Sequence, residues 1–287
     1  MFIRMSDFER LSLILGLVFF SQYVAASEIR TLLYEASQNG QYVPADVTEL
    51  DKAESLFLRV MQGENDPQLK NEWNSIGFDL LNFKEKGKKY IAIQEQLTRK
   101  EGRGFYLFLL DSTSTSVLQA PHSFKDLRTR EITLDMVLSS DYPAAAWNTV
   151  PRDLADLAHL EQTFFMSFSR AFARRYAQGD LLQLHGYAQN KRTTSAGRES
   201  ELILSSGTST PCNTVLEAAA CLKRNVSDKT YIYPLEVKEL GATTNTIGKA
   251  LRALWHEGFM HIEISRGIRE RLLTESKLQR SFINCLP

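Results

Sequence analysis

The chain has 287 residues, with 34 basic and 34 acidic side chains and a formal net charge of zero. Hydrophobic residues make up 43% and charged residues 24%, enough apolar surface to exclude disorder as the main state. Neutrality argues against a broad nucleic-acid surface, which needs a basic excess. The length fits one large domain or two small ones.

Behind Arg4 and Arg10, Leu11–Val24 (LSLILGLVFFSQYV) is an apolar run followed by Ala25 and Ala26. This layout predicts a secretory signal peptide over 1–26, cut after Ala26. Asp7 and Glu9 offset the two arginines, and an uncleaved anchor or a buried N-terminal helix are the alternatives. The run is shorter than the roughly 20 residues of a spanning helix, and no second one follows. The mature chain, 27–287, is therefore expected to be one domain with no stable membrane span, in the periplasm or secreted by a bacterium. Cysteines are three: Cys212, Cys221 and Cys285. Cys212 and Cys221 invite pairing, but Thr214–Lys223 reads as helix, so Cys212 would have to fold back; Cys285 is the other candidate partner.

Glu28–Ser37, Val47–Gln62 and Pro67–Lys84 read as helices; in the second, Leu56, Phe57, Val60 and Met61 recur at helical spacing. Short runs of β-formers follow at Lys89–Gln94, Gly104–Leu110 and Ser116–Gln119. Asp156–Arg175 reads as a long amphipathic helix with Phe164, Phe165, Phe168 and Phe172 in the core. Further strands are predicted at Asp180–His185, Glu201–Leu204, Tyr231–Leu235 and Phe259–Ser265. Helices are predicted at Thr214–Lys223, Thr244–Trp255 and Arg266–Arg280. The alternation predicts an α/β fold layered about a largely parallel sheet, preceded by a helical part over 27–86.

Of five histidines, His122 and His185 each follow a predicted strand and precede a turn. Sheets of this kind place sites at the carboxyl ends of strands. Two imidazoles and a carboxylate from separate elements suit a catalytic zinc, which keeps one position open for water. Asp126 is near enough to His122 to reach the same ion, and Glu263, on a late strand, could accept the proton of the water. His261 shares a strand face with Glu263; with His256 it is read as structural. Asp156, His159 and Thr163 share a face of their predicted helix, where Asp153 and Asp156 also answer the helix dipole.

The segments PHSFKD (121–126), LHG (184–186) and IEISRGIR (262–269) resemble those of the zinc carboxypeptidase-like amidohydrolases, N-formylglutamate amidohydrolases and phage-type poly-γ-glutamate hydrolases in particular. The match runs from Leu118 to Arg271. It implies a three-layer α/β/α fold around a mixed sheet, one zinc ion per chain, and hydrolysis of an amide bond close to a carboxylate. It also implies that His122, Asp126 and His185 hold the metal and that Glu263 is the general base. Carboxypeptidases carry HxxE, whereas here the carboxylate is an Asp one residue later, so Glu131 and His159 stand as alternative ligands. By the same resemblance Asn148, Arg152 and Arg266 are candidates for gripping the substrate, and Arg152 or Arg128 for stabilising an oxyanion.

The expected function is thus an exported zinc-dependent hydrolase acting on an N-acyl amino acid, a γ-glutamyl compound or a cell-wall peptide. Its partner is a small-molecule or peptide substrate; no nucleic acid and no partner protein is indicated. The rival is a non-catalytic ligand-binding member of the same fold, motivated by the displaced carboxylate. A serine hydrolase ranks last, because the sequence has no GxSxG elbow.

Overall fold

Side chains alternate between two apolar layers along the strand β2 (Lys88–Glu95): Tyr90 and Ala92 enter one cluster, Ile91 and Ile93 the other. A strand covered on both faces reads as a continuous apolar run, as KKYIAIQE does. The computed structural model describes residues 28–37 and 40–287; the expected signal peptide lies outside them. No helix among the described residues is long and apolar enough to cross a membrane.

The described residues open with α1 (Glu28–Ala36), α2 (Val47–Met61) and α3 (Pro67–Ser75), then the strands β1 (Phe78–Glu85), β2, β3 (Phe105–Leu109) and β4 (Val117–Ala120). There follow α4 (Thr129–Ser139), β5 (Ala144–Trp147), α5 (Phe164–Arg175), β6 (Leu181–Tyr187), the short α6 (Ser195–Glu199) and β7 (Leu202–Ser205). The last part comprises α7 (Asn213–Asn225), β8 (Thr230–Ile232), α8 (Thr246–Ala253), β9 (Phe259–Ser265), α9 (Arg266–Thr274) and α10 (Ser276–Asn284). Among the described residues nine strands form one sheet in the order β1-β2-β3-β5-β4-β6-β9-β7-β8. Its centre, β5-β4-β6-β9, is parallel. An antiparallel meander, β1 to β3, is added at one side, and β7 returns antiparallel to β9 at the other.

Buried residues of α1, α4, α7, α9 and α10 pack on one face of the sheet, and those of α2, α3, α5 and α8 on the other. The fold is therefore a three-layer α/β/α arrangement around a mixed sheet that is parallel at its centre. On the second face Phe57 is fully buried against Trp73, Tyr106, Phe108 and Phe168, with ring centroids 4.5 to 6.2 Å away.

Three expected elements differ. The helix predicted over Pro67–Lys84 stops at Ser75, and Gly77 takes φ +86, a conformation that side chains resist. The chain then enters β1, paired residue for residue with β2 through a turn at Lys86 and Gly87. The helical N-terminal part thus ends in a strand of the main sheet. The long helix predicted from Asp156 begins only at Phe164, where the Thr163 side chain accepts from the Met166 amide. The closing helix is broken at Glu275 into α9 and α10.

Cys221 on α7 pairs with Cys285 at the end of α10, and Cys212 is free. This bridge joins two helices of the same layer across 64 residues of sequence. Chain-entropy arguments for a loop of that length put its contribution at about 4 kcal/mol. Cys285→Ser is expected to lower the free energy of unfolding by about 3–4 kcal/mol in denaturant titrations. Reductant should then leave the variant unchanged while destabilising the parent chain.

Candidate metal centre

His122 and Asp126 lie in a tight turn just past the carboxyl end of β4. The amides of Lys125 and Asp126 donate to the His122 carbonyl at 3.0 and 2.9 Å. The Thr129 hydroxyl closes the turn on the Asp126 carbonyl at 2.7 Å. One helical turn brings residues four apart onto one face. The carboxylate therefore reaches the histidine although it stands one residue later than in HxxE. His185 and Glu263 arrive differently. In the parallel register of β6 and β9, His185 lies opposite Glu263 and Gln183 opposite His261. All four side chains project to the face covered by α5 and α8.

The atoms that meet are His122 Nδ1, His185 Nδ1 and Asp126 Oδ2. The two nitrogens are 3.1 Å apart, and the carboxylate oxygen is 3.4 Å from His122 and 3.3 Å from His185. All three residues are buried. Ligand atoms about 2.0–2.1 Å from a tetrahedral ion stand about 3.3–3.4 Å from one another, and two imidazoles with a carboxylate form a set that zinc accepts. The triangle fits such an ion without rearrangement. A second set, His185, His261 and Glu263, has donor atoms within 4.8 Å of one another. It is looser, with His261 Nε2 3.7 Å from Glu263 Oε1, and it shares His185 with the first.

Outer partners hold the first histidine. His122 Nε2 donates to Asp156 Oδ1 at 2.8 Å, and Arg152 donates to Asp156 Oδ2 at 2.7 Å. An Arg-held carboxylate is an acceptor, so Nε2 carries the proton and a neutral His122 turns the Nδ1 lone pair inward. Burial alone would lower the pKa of His122, but the carboxylates of Asp126 and Asp156 beside it outweigh that and raise the value. Burial also opposes charge on Asp126, yet the two histidine rings beside it hold its carboxyl well below the usual range. His185 is pushed down to about 4, chiefly by burial. Glu263 is pushed up to about 8 by burial, with the Asp126 charge adding to the effect. Glu263 Oε2 and His261 Nδ1 are both buried without a hydrogen-bond partner.

The triangle opens into a cleft of ≈ 640 Å³ whose lining includes Lys125, Arg152, Lys191, Arg192, Arg266 and Arg269. These cations differ in what already holds them. Lys125 is paired with Asp153 at 2.6 Å and Arg152 with Asp156. On the opposite side, Arg192 stands 3.7 Å from Glu239, whose carboxylate is occupied by the amides of Thr193 and Thr194 and by the Thr194 hydroxyl. The Nε atoms of Arg192 and Arg269 are buried and unpaired. Arg269 lies beneath Gly186, where a Cβ would fall 2.1 Å from its Nη1.

The remaining expected residues fall into two groups. His159 and Arg266 line the cleft, both from exposed positions, and Arg266 is paired with Glu270. Asn148, Glu131 and Arg128 do not line it. Asn148 is fully buried and holds its own loop, accepting from Val150 and donating to Ala155. Glu131 binds Arg130 on another face. Arg128, in the left-handed conformation before α4, is paired with Glu270. His256 donates to the Tyr176 carbonyl through Nε2, as a structural histidine does. Asp156, placed by the sequence on a helix, sits in a loop and reaches His122. Nothing in the sequence singles out Arg192, a loop arginine without a spacing signal, and Arg269 closes the IEISRGIR segment without a role being assigned to it.

No family model matches the chain, and no curated protein matches it. Among solved structures, it is similar to an N-formylglutamate amidohydrolase from Ralstonia eutropha JMP134, with 14% identity and a TM-score of 0.42, over 61% of this chain and 92% of that one. It is also similar to an esterase of the bacterial hormone-sensitive lipase family, with 12% identity and a TM-score of 0.20, over 63% of this chain and 53% of that one.

Gly186→Ala is expected to force Arg269 from its place, at a cost of about 1–3 kcal/mol in chemical denaturation. An unchanged stability would mean that the guanidinium is not confined there.

Proposed function

We propose that the chain is a metal-dependent hydrolase that cleaves an amide bond in a carboxylate-bearing substrate. One observation carries this reading: three buried ligand atoms converge at 3.1 to 3.4 Å beside a carboxyl oxygen that has no partner. Zinc, one ion per chain, is the metal that the donor set suits; when bound it supplies a charge that polarises a carbonyl and lowers the pKa of a water to about 7. His122, Asp126 and His185 are its holders in this reading.

Glu263 is the proton acceptor. Its Oε2 has no partner, the residue lines the cleft, and burial raises its proton affinity towards the neutral range, where a general base works best. Arg192 and Arg269 are the cations with unsatisfied donors, and a guanidinium fork matches a carboxylate. We assign the substrate carboxylate to them rather than to Arg152, which already orients Asp156. The helical turn that carries Asp126 into reach of His122 removes the motive for a non-catalytic reading. The signal-like segment at 1–26 supports export to the periplasm or beyond. There the substrates of this class are N-acyl amino acids, γ-glutamyl compounds and cell-wall peptides.

Elemental analysis of the purified chain should find about one zinc per molecule, and none in the His122→Ala/His185→Ala double variant. Absence of metal from the parent chain after zinc is added back would overturn the reading. Glu263→Gln should retain the metal and lose about 10²–10⁴-fold in turnover of an amide substrate. Unaltered turnover would remove Glu263 from the chemistry.

A further inference from the structure

Behind the triangle a chain of buried amides runs along the same sheet face. His185 Nε2 lies 2.9 Å from Gln183 Oε1, and Asn245 Nδ2 reaches the same oxygen at 2.6 Å. Gln183 Nε2 meets Gln119 Oε1 at 3.0 Å, and Gln119 Nε2 meets Ser169 Oγ at 2.9 Å. Gln119, Gln183 and Ser169 are fully buried, and Asn245 nearly so. Nothing in an amide's shape decides which end is oxygen, but both ends of this chain do.

At one end the Ser169 hydroxyl gives its single proton to the Phe165 carbonyl, 2.8 Å away, which can only accept. Ser169 Oγ must therefore accept from Gln119, which turns Gln119 Oε1 towards Gln183. At the other end the Gly248 amide, which can only donate, gives its proton to Asn245 Oδ1 at 3.0 Å. Asn245 must then present its NH₂ group to Gln183. Both ends require the Gln183 oxygen to face His185 and Asn245. His185 Nε2 is left with one role, that of donor.

We propose that this relay selects the tautomer of His185, which makes Gln183 and Asn245 positioning residues of the cation site. With the proton fixed on Nε2, a neutral His185 presents the Nδ1 lone pair to His122 and Asp126. Had Gln183 been reversed, its NH₂ would face Nε2 and drive the ring proton onto Nδ1, into the space between the three ligand atoms. The fixed senses of two helices, α5 through Phe165 and α8 through its capping Asn245, thus decide the charge preference of a site on neither helix. The inference rests on the metal reading only where it concerns affinity; the tautomer itself stands or falls alone.

The test is nitrogen NMR of the metal-free, ¹⁵N-histidine-labelled chain at about pH 8, where an ordinary imidazole is neutral, with His185 assigned by its loss in His185→Ala. The expected result is a protonated Nε2 and a bare Nδ1; the reverse in the parent chain overturns the proposal. Asn245→Asp keeps an oxygen to cap Gly248, so the start of α8 is preserved. It also places a carboxylate oxygen against Gln183 Oε1. The carboxylate, stronger than the Ser169 end of the relay, should reverse Gln183 and with it Gln119, whose oxygen then accepts from the Ser169 hydroxyl in place of the Phe165 carbonyl; the His185 proton moves to Nδ1 and zinc binding weakens by about 10–100-fold in chelator competition. Gln183→Glu still accepts from His185 and should keep the parent tautomer. Parent-like tautomer and zinc affinity in Asn245→Asp would overturn the relay. The expected tautomer in a parent chain that binds no zinc would uphold the relay and remove the metal reading.

Discussion

The site depends on the parallel pairing of β6 with β9. Because the two strands run in one direction and in one register, His185 stands beside Glu263 and Gln183 beside His261. A slip of either strand by one residue would send its own two site residues to the opposite face, into the apolar layer of α4, α7 and α9. What fixes the register is the hydrophobic alternation itself. Leu182, Leu184, Ile262 and Ile264 fill one layer, while Leu181 and Phe259 begin the other. The polar side chains of the site continue the second row as the strands leave the aromatic core and approach their carboxyl ends. Packing energy thus aims groups that contribute little packing energy of their own.

Burial gives these groups their character. Polar groups withdrawn from water must find partners or incur a desolvation penalty. Here most of them do find partners, through Asp156, Arg152 and the amides along the sheet face. Among the site groups the exceptions are Glu263 Oε2, His261 Nδ1 and the Nε atoms of Arg192 and Arg269, while five other buried atoms without a hydrogen-bond partner among the described residues, on Glu54, Trp73, Arg103, Thr133 and Ser140, belong to residues outside the lining of the cleft. The four site atoms belong to residues that line one cleft. In the proposed reading these donors and acceptors are left for a substrate that carries both kinds of group.

Much of the fold was legible because several elements follow simple periods. The runs KYIAIQ, GFYLFLL and FMHIEIS became strands near their expected limits, and His122, Asp126 and His185 met as the motifs implied. Other elements lack such signals. β5 is AAAW, three small residues with little preference for a strand, held extended by neighbours on both sides. The helix read back from Phe164 to Asp156 was a false extension of a true period. The capping Thr163 marked the real start, and the loop before it is what lets Asp156 swing to His122. The hairpin at Lys86 and Gly87 was hidden because NFKEKGKKY also scans as a charged helix end. Tertiary partners such as Gln183 and Arg192 could not be read at all. Their role comes from which neighbour is already satisfied, and a sequence does not record that.

The disulfide between Cys221 and Cys285 has a consequence for the strand that carries Glu263. From β9 the chain passes into α9, whose Ile268 and Leu272 brace the sheet behind Ile264, and then into α10. Cys285, at the end of α10, ties that helix to α7. The bond closes a loop of chain with β9 inside it. Local opening of α10 is thereby held off from the strand that carries His261 and Glu263.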